Sequence, residues 1–279
     1  MRRRVNLFYL LPRLVRHFLP ELAVRFLLHR SPIIRPGLET RAPQEAVARY
    51  LAALEQAGIA LKEKRVMIFV YGGSFAVGCG LLCAGAGHVA LVDAFAPPDD
   101  RRNRALMPKY KDYLIHEGNT IHPRPEVLTL IQVDIRKIVA KKTLPPVDLV
   151  LSSSVYEYLD DVEGITHALA TLTRPVGVQL HFVDLRDHFF KYPFEMLTFS
   201  ETVWRLWLNP TSNLNRYRLP DYHRVFEKHF EMVKITVLER DRLAFEKVRT
   251  RIRPEFLTRD PQVDAITRIR VLALSPKSR

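Results

Sequence analysis

Five short apolar segments, each followed by a glycine or a polar residue, constrain the fold of this chain most strongly. The first, residues 66–70, is a continuous apolar run, which is typical of a strand buried on both faces of a sheet. Similar runs occupy residues 88–92, 128–133, 147–151 and 178–183. Strands of this kind are joined by crossover connections, so the pattern predicts a parallel sheet.

The end of the chain follows a different pattern. Residues 230–238 and 265–274 read as two strands with no clear helix between them, which predicts an antiparallel pair. We therefore expect an α/β fold: a Rossmann-like doubly wound sheet of about seven strands with an antiparallel C-terminal pair and additional N-terminal helices.

The length of 279 residues suits one large domain with appendages. We expect a helical region over residues 1–60 and the sheet domain over residues 61–279. Within the sheet domain, residues 190–229 read as helical and rich in aromatic residues. This segment is predicted to form a lid over a substrate, although aromatic residues at helical spacing also describe an ordinary core.

The first 35 residues are basic and amphipathic. They hold eight arginines and one acid, Glu21, and so supply +7 of the formal net charge of +13. Leu7, Leu11, Leu14 and Phe18 recur at helical spacing, but the segment is too short and too charged for a signal peptide or a membrane-spanning helix. Such a helix either lies on an anionic membrane surface or packs its apolar stripe on its own domain.

Charge and cysteine content narrow the function classes. The middle of the chain is nearly neutral, so its basicity is not tied to the predicted site, and we expect no nucleic-acid partner. Cys79 and Cys83 lie in one apolar segment and indicate core residues in a reducing compartment. We expect a cytoplasmic protein, with peripheral membrane contact through residues 1–35 left open, and no metal site.

Two strand ends carry residues that suit a nucleotide. Gly72, Gly73 and Ser74 form the turn after the first strand, where glycines let a ligand approach the backbone. Asp93 ends the second strand, 21 positions after Gly72, where a carboxylate accepts both hydroxyls of an adenosine ribose. An ordinary tight turn and a loop carboxylate are the alternative interpretations.

The third and fourth strand ends are also polar. Asp134 suits the exocyclic amine of adenine, with Ile135 against the ring, but it also suits a helix cap. Ser152 and Ser153 stand where a substrate would meet the reactive group of the cofactor, although serine is also a preferred capping residue.

A dense polar cluster lies at or just after the end of the fifth strand. His181, Asp184, Asp187 and His188 are placed to act as a general base or a substrate clamp. The alternative is a structural cap that is salt-bridged to Arg186.

Together these residues resemble the class I S-adenosylmethionine-dependent methyltransferases over roughly residues 60–275. The matching motifs are residues 89–93, 147–158 and 174–178, and residues 181–189 resemble a signature of one bacterial subgroup, with Asn215 and Tyr222 in a later motif. The resemblance implies S-adenosylmethionine as cofactor and transfer of a methyl group to an unidentified small-molecule acceptor. It carries over Gly72, Gly73 and Asp93 as cofactor residues, together with Asp134.

The first motif departs from that family. The family prefers an acid followed two positions later by glycine, and Ile68 and Val70 stand there instead. Ile68 cannot accept a hydrogen bond, and losing one charged hydrogen bond costs about 1.5–3 kcal/mol, or roughly tenfold to a hundredfold in affinity. The alternative is therefore a catalytically silent binding or scaffolding protein. A nicotinamide-dependent oxidoreductase is disfavoured by the antiparallel ending.

Overall fold

A seven-stranded sheet forms the centre of the molecule, which we describe from a computed structural model covering residues 6–18, 38–141, 144–187, 192–209 and 214–277. The strands are β1 (Arg65–Phe69), β2 (His88–Val92), β3 (Leu114–Glu117), β4 (Thr120–Pro123), β5 (Leu128–Ile131), β6 (Val147–Ser153), β7 (Thr173–Asp184), β8 (Phe230–Arg240) and β9 (Ile266–Pro276). Their order in the main sheet is β5-β2-β1-β6-β7-β9-β8. The first five are parallel, and β9 runs antiparallel to both β7 and β8. The predicted fold class is confirmed.

Helices pack around this sheet. They are α1 (Leu7–Phe18), α2 (Leu38–Arg41), α3 (Pro43–Gln56), α4 (Ala76–Cys83), α5 (Asp100–Arg104), α6 (Met107–Tyr110), α7 (Ile135–Lys141), α8 (Val162–Leu172), α9 (Glu201–Val203), α10 (Leu219–His229), α11 (Arg242–Val248) and α12 (Pro261–Asp264). Within the described ranges, no helix is long and apolar enough to cross a membrane.

The sheet is covered on both faces because successive side chains of a strand point to opposite sides. Val66 and Ile68 of β1 pack with α3 and α4, whereas Met67 and Phe69 pack with α7, α8 and α10. A continuous apolar strand is therefore what this position of the sheet requires. The helices change sides between β1 and β6, which are neighbours, and this switch point is where doubly wound sheets bind ligands.

A third apolar cluster lies apart from the two faces of the sheet. It joins Tyr9 of α1 to Phe194, Trp204, Leu208 and Phe245, which come from residues 192–208 and from α11. Residues 192–208 contain a 3₁₀ turn (Glu195–Thr198) and a π-helical turn (Trp204–Leu208). Much of the aromatic segment that the sequence marks as a lid is thus packed against the N-terminal helix.

Two elements differ from the sequence-based expectation. Strands β3 and β4 form a separate antiparallel hairpin, which the apolar pattern does not reveal because the strands are short. Helix α11 lies between β8 and β9, where no clear helix was expected, and Asp241 caps it by accepting a hydrogen bond from the backbone N–H of Ala244 at 2.9 Å. Neither element changes the topology of the main sheet.

Candidate functional site

The turn after β1 adopts a left-handed backbone at three positions. The φ angles are +64° at Val70, +66° at Gly72 and +83° at Gly73. Glycine adopts such angles freely, but a β-branched residue does so only at a cost. Val70 thus stands at a position whose backbone calls for glycine, in agreement with the glycine that the family motif places there. Ser74, at the end of the turn, is buried.

Asp93 fastens this turn to the end of β2. Its Oδ2 accepts a hydrogen bond from the backbone N–H of Gly72 at 3.2 Å. Its Oδ1 accepts from the N–H groups of Phe95 and Ala96, both at 2.9 Å. The side chain is only 2% exposed. The structure therefore brings Gly72 and Asp93 together, but the carboxylate is engaged by its own loop.

The loop after Asp93 lies against the glycine turn. The carbonyl oxygen of Gly73 accepts from the N–H of Asp99 at 2.9 Å and from Nδ2 of Asn103 at 3.0 Å. A Cβ atom at Gly73 would stand 2.7 Å from the carbonyl oxygen of Pro97, so the close approach requires glycine. Asn103 also accepts from the N–H of Phe75 at 2.9 Å. Sequence reasoning missed Asn103, because no motif marks it.

Asp134, after β5, pairs with Arg136. Arg136 donates from Nη2 to Oδ2 of Asp134 at 2.6 Å, and this side-chain hydrogen bond is the main reason that the pKa of Asp134 is lowered. Ile135, which the sequence predicts to lie against the adenine ring, is 1% exposed and packs in the core with α8. Of the two, Asp134 alone is accessible at the sheet edge.

Ser152 and His181 form a buried pair on neighbouring strands. Ser152 Oγ lies 2.8 Å from Nδ1 of His181, and Nε2 of that ring lies 3.0 Å from Oε1 of Gln179. Neither Ser152 nor His181 is exposed. Burial lowers the pKa of His181 to about 3, so the ring is neutral at physiological pH. The ring lies in the core beneath the strand ends, 4.6 Å from the ring of Tyr156.

The hydrogen-bond partner of Ser153 is a residue that sequence reasoning missed. Arg49 of α3 donates a hydrogen bond to Ser153 Oγ, and its guanidinium carbon lies 4.1 Å from the ring centroid of Phe182. Next to it, Tyr50 donates to the carboxyl group of Glu39. Burial raises the pKa of Glu39 to about 7 and lowers the pKa of Arg49. A cation therefore stands at the carboxyl end of β6, contributed by a helix before the sheet.

The predicted cluster after β7 is divided in space. Asp184 accepts from Nε of Arg186 at 2.8 Å, while Asp187 accepts from the Tyr9 hydroxyl and pairs with Arg13. His181 lies in the core, and His188 lies outside the described residues. The three described side chains, those of His181, Asp184 and Asp187, therefore take separate partners.

The later motif packs beneath the end of β6. Asn215 donates from Nδ2 to the carbonyl oxygens of Tyr156 at 2.7 Å and Leu159 at 3.0 Å, and its own N–H donates to the carbonyl oxygen of Glu157 at 2.7 Å. The Tyr222 hydroxyl donates to Asn215 Oδ1 at 3.4 Å. Burial raises the pKa of Glu157 well above its ordinary value. These residues fix the shape of the turn that follows Ser153.

No metal-binding arrangement is present in the described part of the chain. Groups of three or more His, Cys, Asp or Glu side chains that could hold an ion are absent there. Cys79 and Cys83 are free thiols, the first buried and the second exposed.

The sheet order and the antiparallel last strands define the Rossmann-like fold of class I methyltransferases. A solved structure of a candidate O-methyltransferase from Nostoc punctiforme matches with a TM-score of 0.51 at 12% identity, over 96% of this chain and 71% of that one. At this identity the likeness establishes the fold.

Two other solved structures are similar at lower scores. A candidate sarcosine dimethylglycine methyltransferase from Galdieria sulphuraria has a TM-score of 0.49 at 13% identity, over 92% of this chain and 99% of that one. Magnesium protoporphyrin IX methyltransferase from Synechocystis, with S-adenosylmethionine bound, has a TM-score of 0.46 at 11% identity, over 91% of this chain and 95% of that one. No protein-family model matches the chain, and no curated protein matches it.

Proposed function

We propose that this chain is an S-adenosylmethionine-dependent methyltransferase that acts on a small-molecule acceptor. One observation carries the proposal. The turn after β1 has the left-handed backbone of a ligand-binding glycine loop, and its Gly72 N–H is bonded to Asp93 at the end of β2. In a doubly wound sheet this edge, beside the switch point, is where a nucleotide binds.

Asp93 and Asp134 are the groups that would hold the adenosine. Asp93 would accept the ribose hydroxyls once the loop over residues 94–97 moves away, because its carboxylate is 2% exposed when that loop is in place. Asp134 would accept from the exocyclic amine of adenine. Two of the three backbone hydrogen bonds that Asp93 accepts come from this loop, from the N–H groups of Phe95 and Ala96, and the third comes from Gly72.

The methionine end of the cofactor would need a partner other than Ile68. Ile68 is fully buried among apolar side chains and offers no polar atom. Phe182 belongs to the same apolar cluster, and the guanidinium group of Arg49 lies over its ring. We infer that Arg49 would bind the carboxylate of the methionine end, since guanidinium and carboxylate groups pair in bidentate geometry.

Methyl transfer requires little acid–base catalysis by the protein. The bound cofactor supplies an electrophilic methyl group, and the enzyme chiefly aligns the acceptor with it. For an acceptor that must lose a proton, Asp184 is the candidate base or clamp, since the side chain of Asp187 is fully buried in its pair with Arg13. Residues 192–208 would form one wall of the acceptor site.

Calorimetric titration of the full chain tests the proposal. We expect S-adenosylmethionine and its product S-adenosylhomocysteine to bind and NAD not to bind. Asp93→Asn should weaken binding about tenfold or more, because a charged acceptor is lost. Asp148→Asn is the matched control, since that carboxylate lies at the amino end of β6, where it accepts from the N–H of Arg65.

Two outcomes would contradict the proposal. If neither the wild-type chain nor Val70→Gly binds the methyl donor, the silent scaffolding protein becomes the better interpretation. If NAD binds instead, the chain is an oxidoreductase.

A further inference from the structure

Among the described residues, the side of helix α1 that faces away from the domain is apolar and exposed to solvent. Five of its side chains are more than half exposed: Leu7 (66%), Phe8 (83%), Leu11 (63%), Val15 (55%) and Phe18 (74%). An α-helix has about 3.6 residues per turn, so these positions share one side. We call these five residues the α1 face.

The opposite side of α1 packs firmly against the domain. The α1 face is therefore exposed even though the helix is attached. Tyr9 is fully buried and stacks on Phe199 with ring centroids 5.8 Å apart. Arg13 is 5% exposed, pairs with Asp187 and donates to the carbonyl oxygen of Leu208 at 2.6 Å. The sequence left open whether the apolar stripe packs on its own domain. The structure divides that stripe: Leu14 packs beside Tyr9 against the third apolar cluster, while Leu7, Leu11 and Phe18 face outward.

The apolar surface continues onto the π-helical turn. Trp207 is 47% exposed, and its ring lies 5.2 Å from that of His17, which in turn contacts the ring of Phe18 at 4.9 Å. Leu206, next to Trp207, is 59% exposed. Exposed aromatic and aliphatic side chains that adjoin in this way are unusual on a soluble surface and mark an interaction site.

The charge of α1 and of the residues just before it in sequence favours one kind of partner. Residues 1–18 contain five arginines and no acidic residue. Arg13 is buried and paired with Asp187, so the charge available to a partner is that of the other four arginines, at positions 2–4 and 16. Two copies of this chain that met through the α1 face would bring like charges together, which opposes self-association. An anionic bilayer provides both apolar depth for the five side chains and negative charge for the arginines.

We propose that the α1 face and Trp207 dock this protein onto the surface of an anionic lipid bilayer. The helix lies in the plane of the headgroups with its apolar side inserted and its Tyr9 side fixed to the domain. The arginines at positions 2–4 supply the electrostatic attraction. This docking is separate from the proposed methyl transfer and does not depend on it.

Cosedimentation of the full chain with vesicles tests the docking. Vesicles of equal parts phosphatidylcholine and phosphatidylserine should bind the chain, and pure phosphatidylcholine vesicles should bind it much more weakly. The double variant Phe8→Ser, Leu11→Ser should lose about tenfold or more in binding. Val176→Ser is the matched control, because Val176 is 85% exposed but lies near the start of β7, whereas Asp187, which contacts α1, follows the other end of that strand.

Two further measurements separate the apolar and electrostatic parts. Brominated lipids should quench the fluorescence of Trp207, whereas Trp204, only 2% exposed, stays shielded. The triple variant Arg2→Gln, Arg3→Gln, Arg4→Gln should lose about fivefold in binding for each arginine at low salt.

Three outcomes would overturn the docking. They are equal binding of the serine double variant and the wild-type chain, equal binding to neutral and anionic vesicles, and a concentration-dependent dimer that the double variant abolishes. The last would show that a second copy covers the α1 face.

Discussion

The backbone N–H of Gly72 donates a hydrogen bond to Oδ2 of Asp93 at 3.2 Å, and this bond joins the turn after β1 to the end of β2. Two residues 21 positions apart thereby form one unit at the carboxyl edge of the sheet. Asp93 also accepts hydrogen bonds from the N–H groups of Phe95 and Ala96, so both of its carboxylate oxygens are engaged within this unit. Its stability and its ligand binding should therefore respond together to substitution.

Substitution of Asp93 should destabilise the protein as well as weaken binding. In Asp93→Asn, an amide nitrogen cannot accept from Gly72 N–H, so we expect the free energy of unfolding to fall by about 1–3 kcal/mol. Asp93→Ala, which removes both acceptor oxygens and all three hydrogen bonds, should cost more. Denaturant unfolding measures both changes. Unchanged stability in the two variants would show that the loop does not depend on this carboxylate.

Val70→Gly should stabilise the turn after β1 and strengthen cofactor binding. Relief of a left-handed backbone is worth roughly 1–2 kcal/mol, against roughly 0.5–1 kcal/mol for the greater chain entropy of glycine. We expect a small net stabilisation and about tenfold tighter binding of S-adenosylmethionine, measured by unfolding and by calorimetry. Val70→Ala is the control, since alanine keeps the unfavourable φ. A clear loss of stability in Val70→Gly would mean that packing of the valine side chain dominates.

The buried ion pair between Arg13 and Asp187 should hold α1 on the domain. Its side chains are 5% and 0% exposed. Asp187→Asn removes a negative charge that pairs with a buried guanidinium, and breaking a buried ion pair typically costs about 3–5 kcal/mol. We expect faster amide hydrogen exchange over residues 7–18. The exposed pair of Arg136 and Asp134 gives the contrast, because Arg136→Gln should cost less than about 1 kcal/mol. Equal effects of the two substitutions would refute the anchoring role.

His181 should make the protein sensitive to acid. Burial lowers the pKa of its ring from the ordinary 6.5 to about 3. The unfolded chain then binds a proton that the folded chain excludes, so stability is complete above about pH 6.5 and falls as the pH drops toward 3. The total loss is about 5 kcal/mol. His181→Gln should flatten this part of the profile. A ring proton signal in NMR that titrates near its ordinary pKa would refute the prediction.

Glu39 should make the folded protein less stable at high pH than at low pH, which is the opposite of the effect of His181. Burial raises the pKa of its carboxyl group from the ordinary 4.5 to about 7. The folded chain therefore retains a proton that the unfolded chain releases, so this stabilisation is complete below pH 4.5 and is lost as the pH rises through 7. Glu39→Gln should remove the slope and raise the free energy of unfolding by about 3 kcal/mol above neutral pH. Tyr50→Phe, which removes the donor to Glu39, separates the hydrogen bond from the burial.

Much of the sheet was predictable from the sequence because a strand that is buried on both faces consists largely of apolar residues. β1 is a continuous apolar run, and β2 and β6 are apolar over most of their length. The hairpin β3-β4 was missed because its strands are short and partly exposed. Helix α11 was missed because Phe245 and Val248 bury only a narrow stripe, so its sequence reads as a polar connection.

The candidate site was predictable in part. Gly72 and Asp93 could be placed at one edge because the carboxyl ends of parallel strands meet there. Arg49, Asn103 and the Tyr9–Asp187 contact could not, because each joins residues through tertiary packing that no local spacing encodes. The acidic and basic residues after β7 appeared as one cluster in sequence, yet their side chains take separate partners.

The sequence by itself determined where the main-sheet strands lie along the chain, the antiparallel ending and the carboxylate and glycine positions at the strand ends, since periodicity and chain order fix these. Only the tertiary structure decided which polar groups are accessible and which side of α1 faces water. It placed His181 in the core, closed the loop after Asp93 over the glycine turn, and turned the α1 face outward. Accessibility depends on what packs against a residue from distant parts of the chain, and no single segment specifies that.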